Sequence, residues 1–310
     1  MHRSVMLREV LERMDVRPGG AYVDATLGGA GHAEAILEAS APDGRLLGLD
    51  ADPAALGRAA LRLARFGARF TGAQTRFSRM GEAARRLGFD GVDGVLMDLG
   101  VSSFQLDEPA RGFSFQQDGP LDMRMDPTEP GTAADLVNEW PEADLAELFR
   151  RWGEEPDARR IARRIVERRA RAPFRTTGAL AEFVAAAKGG RHGRTHPATR
   201  VFQALRKAVN REPEELAAGL DAALGLLRTG GRLAAIAFES LEDRTVKEFM
   251  KRHAGVRESL QAGGERWVGE RPAVRWVTRK AQRPGEEETA ENPRARSARL
   301  RVAERIEASW

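Results

Sequence analysis

The chain has 310 residues, no cysteine, 42% hydrophobic residues and a formal net charge of +4, from 50 Lys and Arg against 46 Asp and Glu. A chain of this length can bury a core without a disulfide or a metal. The absence of cysteine excludes thiol proteases, zinc fingers, iron–sulfur clusters and any disulfide partner. No apolar run is long enough to span a bilayer, and the first residues lack the apolar region of a signal peptide. We therefore expect a soluble, cytoplasmic protein without a metal site.

Strand and helix patterns alternate through the first hundred residues. Short apolar runs that follow turn residues predict strands at 21–25, 45–50, 69–72 and 92–98. Helical patterns lie between them, at 32–38, 53–66 and 80–87. Strands separated by single helices are typical of a parallel, doubly wound α/β sheet.

This alternation stops after Asp98 and resumes beyond Asn210. Residues 106–210 show helix and loop patterns without a convincing buried strand. A helix is then predicted at 214–228, followed by strands at 232–238, 274–277 and 297–305, with an acidic mobile loop at 285–291. The prediction is one Rossmann-like domain formed by residues 1–105 and 213–310, interrupted by an all-helical domain at 106–212.

The small net charge conceals a strong segregation of charge along the predicted insertion. Residues 107–157 contain 14 acidic and 4 basic residues, whereas residues 158–211 contain 15 basic and 2 acidic ones. Such a basic stretch favours a polyanionic partner, although an ordinary solvated helix face is the alternative for any single arginine. The candidate RNA-binding residues are Arg159, Arg160, Arg163, Arg164, Arg168, Arg171 and Arg200.

The segment from Asp24 to His32 is the richest local signal for a ligand. Its glycines allow the backbone to approach a ligand closely at the start of a helix. The spacing lacks the third glycine of a dinucleotide-binding motif, since Glu34 occupies that position. Asp50 ends the next predicted strand, where a carboxylate can accept both ribose hydroxyls. A nucleoside cofactor without a pyrophosphate, S-adenosylmethionine, suits this set, whereas helix capping is the alternative for the acids.

Several ordered motifs resemble those of the RsmH (MraW) family of bacterial ribosomal RNA methyltransferases. They occur along the whole chain, at residues 2–7, 98–103, 111–115, 118–127, 196–200, 240–244 and 292–297. The resemblance implies a methyltransferase domain with a helical insertion. It also implies transfer of a methyl group from S-adenosylmethionine to N4 of a cytosine in the decoding region of 16S rRNA, with that RNA or the small ribosomal subunit as partner.

The resemblance also implies the residues that contact the cofactor. These are Ala30, Gly31, His32, Asp50, Phe77, Asp98 and Gln105. We further hypothesise that Asp98 and the hydroxyls of Ser102 and Ser103 orient the target amine; the alternative is that the two serines satisfy backbone groups of a turn. Glu239 and Phe104 depart from the family pattern, which usually has His and Pro at these positions.

The missing cysteine also bears on the acceptor atom. Methylation of cytosine at C5 ordinarily uses a thiolate, so its absence favours an exocyclic nitrogen or an oxygen. Two alternatives stay open: a methyltransferase acting on adenine N6, DNA or protein, and a ribosome-assembly factor with a vestigial cofactor pocket. The sequence makes no prediction of the oligomeric state.

Overall fold

The computed structural model describes residues 4–190, 195–259, 265–268 and 271–307. The chain divides into two compact units, one formed by Met1–Gly100 and Glu214–Trp310 and the other by Val101–Pro213. The sequence predicts domain boundaries at 105/106 and 212/213. It also assigns methyl transfer to the outer segments and RNA binding to the inserted one, and these assignments stay predictions.

The strands in the described part of the chain are β1 (Ala21–Asp24), β2 (Arg45–Asp50), β3 (Phe70–Gln74), β4 (Val92–Asp98), β5 (Leu227–Ala237), β6 (Val256–Ser259), β7 (Glu265–Val268), β8 (Val274–Trp276) and β9 (Arg299–Arg305). The helices there are α1 (Leu7–Met14), α2 (Gly31–Ala39), α3 (Pro53–Leu63), α4 (Met80–Arg86), α5 (Ser103–Asp107), α6 (Ala133–Glu139), α7 (Glu142–Gly153), α8 (Ala158–Arg169), α9 (Thr177–Ala187), α10 (Thr199–Asn210), α11 (Glu212–Leu226), α12 (Ser240–His253) and α13 (Glu286–Glu291).

The first unit is built on a seven-stranded sheet with the order β3-β2-β1-β4-β5-β9-β8. Strands β1 to β5 run parallel, as predicted, while β9 is antiparallel to both β5 and β8. The parallel prediction does not extend to β9, because antiparallel neighbours need no helical crossover between them. Strands β2 and β3 lie on one side of β1, and β4 and β5 lie on its other side. The order thus reverses between β1 and β4, where open α/β sheets bind ligands beyond the carboxyl ends of the strands.

The sheet is buried on both faces, which explains its continuous apolar runs. Val23 and Leu47 belong to a core shared with α4, α11 and α12, while the adjacent Tyr22 and Leu46 belong to a core shared with α1, α2 and α3. This alternation of faces holds the sheet rigidly between two helical layers. Within the residues described, no helix is long and apolar enough to cross a membrane.

Residues 285–291 correct one prediction. They were expected to form a mobile acidic loop, but residues Glu286–Glu291 form helix α13. Three glutamates occupy its first turn, where negative charge is favoured by the helix dipole. Glu288 also accepts a hydrogen bond from the backbone N–H of Met6 at 2.7 Å. The charge pattern therefore marked a helix start rather than a disordered segment. Helix α1 and the β6–β7 hairpin were not predicted.

The second unit is helical, with one isolated bridge between Pro120 and Thr176 and no strand among its described residues. Its core contains Phe149, Ile161, Ile165 and Leu205, all fully buried. The Asp118–Pro127 motif forms an irregular loop beside this core. Asn210, buried at the end of α10, fixes that loop by accepting from the N–H of Met125 and donating to the carbonyl of Met123, each at 2.8 Å. This motif therefore has a structural role within its own unit.

Candidate functional site

Three aspartates end three adjacent strands at the carboxyl edge of the sheet. Asp24 ends β1, Asp50 ends β2 and Asp98 ends β4. Because β1 pairs with both β2 and β4, the sheet topology brings these carboxyls together at the switch point.

The loop that follows β1 is held by two of these aspartates. The carboxylate of Asp50 accepts hydrogen bonds from the N–H of Gly28 at 2.8 Å and from the N–H of Asp52 at 2.9 Å. The hydroxyl oxygen of Thr26 accepts from the N–H of Asp98 at 2.7 Å. Each oxygen of Asp50 has a second lone pair, so the carboxylate retains capacity for ribose hydroxyls.

The end of the same loop adopts a strained backbone. Ala30, the residue before α2, is fully buried and has φ 58° and ψ 22°. This left-handed conformation costs about 1–2 kcal/mol in a residue with a Cβ atom. Strain of this kind, retained by the surrounding structure, is characteristic of ligand-binding loops.

His32 connects the loop to Asp98. Its ring is buried, with Nε2 2.9 Å from the carbonyl oxygen of Val5 and Nδ1 3.6 Å from Oδ2 of Asp98. The other carboxyl oxygen of Asp98, Oδ1, is buried without a hydrogen-bond partner among the described residues. Since a buried acceptor is normally satisfied, this oxygen marks a position that a ligand can complete.

The environment disfavours negative charge on all three aspartates. Burial, together with the nearby charges of Asp24 and Glu242, raises the pKa of Asp98 to about 8. Burial also raises the pKa of Asp24 to about 7. For Asp50, burial raises the pKa to about 6, although the hydrogen bonds from Asp52 and Gly28 oppose it. A cluster of acids of this kind favours a cation, because a positive charge would stabilise the ionised carboxylates.

Phe77 and Gln105 complete the predicted cofactor set in different surroundings. Phe77 is half-buried against the core, and a Cβ atom on Gly219 would lie 2.4 Å from its ring. The ring therefore packs closely on α11. Gln105 belongs to the second unit, where its side-chain oxygen accepts from the N–H of Ser102 at 3.0 Å. The Ser102 hydroxyl oxygen accepts from the N–H of Gln105 at 3.3 Å.

The reciprocal bonds of Ser102 and Gln105 form a capping box at the start of α5. Ser102 thus has the turn-satisfying contact that was the alternative to a role in orienting the amine. Ser103 follows as the first residue of α5 and is partly buried, whereas Phe104 is 39% exposed. The catalytic roles of Asp98, Ser102 and Ser103 stay hypotheses.

The predicted RNA-binding arginines divide into two groups in the structure. Arg160 pairs with Asp157 at 3.0 Å and Arg163 with Glu167 at 3.8 Å. The guanidinium of Arg168 lies 5.3 Å from the ring centre of Phe174. The second group has exposed side chains that pair with no acidic residue in the described ranges: Arg159, Arg164 and Arg171. Arg200 is exposed as well and lies on α10.

Two further residues have structural roles that the sequence left open. Glu239 caps α12 through a reciprocal pair of hydrogen bonds with Glu242, so the departure from the family's usual His serves the helix start. The ring of His196 packs at a tilt against Phe115, with ring centres 4.7 Å apart, and its Nδ1 accepts from the N–H of Ala198. These contacts give His196 a packing and turn-capping role within its own unit.

Sequence reasoning missed the residues that hold the site from a distance. Thr26 and Glu242 lie inside motifs that were noted. However, the hydrogen bond of Thr26 to β4 and the charge of Glu242 near Asp98 leave no local sequence pattern. Val5 acts through its carbonyl oxygen, which no residue type predicts. The capping box of Ser102 and Gln105, by contrast, has a recognisable local spacing.

The donor set fits a cationic nucleoside cofactor better than a metal. No group of three or more His, Cys, Asp or Glu side chains in the described ranges is arranged to hold a metal ion. S-adenosylmethionine carries a positive sulfonium, which suits the aspartates at the strand ends, and a ribose, which suits Asp50. The strand order, its switch point and the three aspartates at the strand ends are those of a Rossmann-like, S-adenosylmethionine-dependent methyltransferase.

The chain belongs to the MraW methylase family, whose sequence profile matches residues 1–306. It is 53% identical over 305 residues to the ribosomal RNA small subunit methyltransferase H of Thermomicrobium roseum, covering 98% of this chain and 94% of the relative. The proteins of the same name from Syntrophobacter fumaroxidans and Geobacter sulfurreducens are 55% and 53% identical, covering 98% of this chain and 96% and 99% of theirs.

Proposed function

We propose that this protein methylates N4 of a cytosine in the decoding region of 16S rRNA, with the RNA or the small ribosomal subunit as its cytoplasmic substrate. The family and the names of the relatives support a ribosomal RNA substrate. The carboxyl of Asp98 is the observation that supports an amine as the methyl acceptor. Asp98 is the last residue of β4, and one of its oxygens is buried without a partner among the described residues.

The chemistry requires positioning more than covalent catalysis. Bound S-adenosylmethionine supplies a methyl group on a sulfonium, which becomes a thioether when the carbon–sulfur bond breaks and the nitrogen–carbon bond forms. The amine loses one proton, so the site needs an acceptor, in-line approach and exclusion of water. Asp98 is the proposed partner of the amine, with Ser102 and Ser103 as further candidates. A thiolate is unnecessary, in agreement with a chain that has no cysteine.

The substrate cytosine has to leave its stack to reach a methyl group held at the edge of the sheet. We assign binding of the flanking phosphates to Arg159 and Arg164 on the exposed face of α8 and to Arg171, just beyond its end, as the strongest contributors. These arginines are not held by acidic neighbours in the described part of the chain, so their guanidinium groups are available to phosphate oxygens.

Methyl transfer to defined particles tests this function. Small subunits from a strain lacking the enzyme are incubated with the purified protein and tritiated S-adenosylmethionine, and the RNA is digested to nucleosides. We expect N4-methylcytidine, with Asp98→Asn strongly reduced and Asp43→Asn, on an exposed turn before β2, unchanged. Label in N6-methyladenosine or in protein would favour the second methyltransferase alternative. Cofactor binding without transfer to any particle would favour the assembly factor.

A further inference from the structure

The N-terminal segment Ser4–Met6 lies directly against the cofactor loop. A Cβ atom on Gly31 would lie 2.1 Å from the hydroxyl of Ser4, so the serine occupies the space beside that glycine. The carbonyl of the next residue, Val5, faces Nε2 of His32 at 2.9 Å. Met6 is fully buried with φ 53°, and Glu288 holds its N–H. The segment is therefore fixed from both sides.

The Val5 carbonyl determines which nitrogen of His32 carries a proton. A carbonyl oxygen only accepts, so Nε2 is the donor in this contact. In a neutral ring, Nδ1 then presents a lone pair toward Oδ2 of Asp98 at 3.6 Å. A lone pair and an ionised carboxylate repel each other. The contact is therefore favourable when one proton resides there, either on Nδ1 or on the carboxyl.

The other groups that face Asp98 leave His32 as the natural holder of that proton. Asp24 approaches from β1 and Glu242 from α12, and both are acids that disfavour a second negative charge. Thr26 contacts the backbone N–H of Asp98 rather than its carboxyl. A cation that enters beside Asp98 stabilises its ionised form. The proton then has a short path to Nδ1.

We propose that His32 is a positioning residue that takes up the proton of Asp98 when the cationic cofactor binds, and that Ser4–Met6 belongs to the cofactor site because the Val5 carbonyl orients the imidazole. His32 thereby keeps a carboxylate facing the cofactor without release of a proton to solvent. The inference rests on the cofactor and is independent of which base accepts the methyl group.

Two amide substitutions separate the two contacts of the ring. The side-chain amide of glutamine reaches the position of Nε2, so His32→Gln retains a donor to Val5 and removes the base beside Asp98. The amide of asparagine reaches the position of Nδ1, so His32→Asn retains a group beside Asp98 and loses the contact with Val5. His253→Gln is the matched control, since His253 lies at the end of α12 beside Phe249.

The primary measurement is the number of protons released when S-adenosylmethionine binds the purified, RNA-free protein. Titration calorimetry at pH 7 in two buffers of different ionisation enthalpy gives this number. We expect His32→Gln to release close to one proton more than the wild type. Its affinity should be about tenfold weaker at pH 7 and approach that of the wild type above pH 9, as the carboxyl ionises without help.

Hydrogen exchange of the unliganded protein gives a second, independent readout. His32→Asn should accelerate exchange of the Met6 amide and the first turn of α1, whereas His32→Gln and His253→Gln should not. Thermal melts check that each variant is folded.

Equal proton release by His32→Gln and the wild type, with an affinity reduced by the same factor at every pH, would overturn the proposal and leave His32 a packing residue. Unchanged exchange in His32→Asn would remove Ser4–Met6 from the site. If the wild type itself failed to bind S-adenosylmethionine, the assignment of the cofactor would be wrong. If it bound the cofactor but did not methylate cytosine, only the proposed function would be wrong.

Discussion

The three aspartates at the strand ends predict that the unliganded protein loses stability as the pH rises from 6 to 8. Each of these groups has a folded-state pKa above its ordinary value of 3.8. The folded chain therefore binds more protons at these sites than the unfolded chain does between about pH 4 and pH 8. Stability falls with rising pH wherever the folded state holds the extra protons.

The size of the loss follows from the individual values. The unfolded carboxyls are fully ionised throughout this range. With pKa values of about 8, 7 and 6 for Asp98, Asp24 and Asp50, the loss between pH 6 and pH 8 is about 2 kcal/mol for Asp98, about 1 kcal/mol for Asp24 and less than about 1 kcal/mol for Asp50. The total of about 4 kcal/mol is a large share of the stability of an ordinary domain.

Urea unfolding followed by circular dichroism at pH 6, 7 and 8 measures this loss. Asp98→Asn is the informative comparison, because an amide does not titrate and the variant should lack about half of the decline. The difference between wild type and variant also cancels the titration of groups elsewhere in the chain. Stability that is flat or rises from pH 6 to 8, or an equal decline in Asp98→Asn, would refute the argument that these acids are held against ionisation.

Three further outcomes are expected. Gly219→Ala should destabilise the protein by about 1–3 kcal/mol in urea and weaken cofactor binding, because its Cβ atom would lie 2.4 Å from the ring of Phe77. Asn210→Ala should cost about 2–3 kcal/mol, measured the same way, since it leaves buried backbone groups unsatisfied. Arg164→Ala should lower the slope of log affinity for single-stranded rRNA against log salt by about 0.7, whereas Arg150→Ala, paired with Glu147 on α7, should leave it unchanged.

The parts of the site that lie at strand ends could be predicted because their signal is local. β2 and β4 occupy the predicted residues, and each ends in an aspartate after a buried apolar run. Parallel pairing then places Asp50 and Asp98 at one edge of the sheet without further information. Residues 286–291 were wrongly predicted to be a mobile loop, because a run of glutamates is typical both of disordered segments and of a first helical turn. The hydrogen bond from the Met6 N–H to Glu288, which is distant in the sequence, distinguishes the two.

The contacts that tune the site could not be predicted, since they join residues through backbone atoms or across the sheet. Nothing in the sequence near His32 indicates that the carbonyl of Val5 fixes its ring. That relation depends on a buried left-handed residue at Met6, which turns the chain so that the carbonyl faces the ring. Local rules fail here because strained backbone is stabilised by the rest of the fold, as expected at functional sites.

The cost of this arrangement is itself an argument about function. Asp24 and Asp98 are held where burial opposes their ionisation, and Ala30 adds backbone strain beside them. A protein selected for stability alone would replace such acids by apolar or amide side chains of similar volume. A bound cation offsets the free-energy cost of ionising these carboxyls, because it stabilises the charged form that burial disfavours. The destabilising features thus become favourable when the cationic cofactor binds. On this argument, Asp98→Asn should make the unliganded protein more stable above pH 7 while it weakens the binding of S-adenosylmethionine.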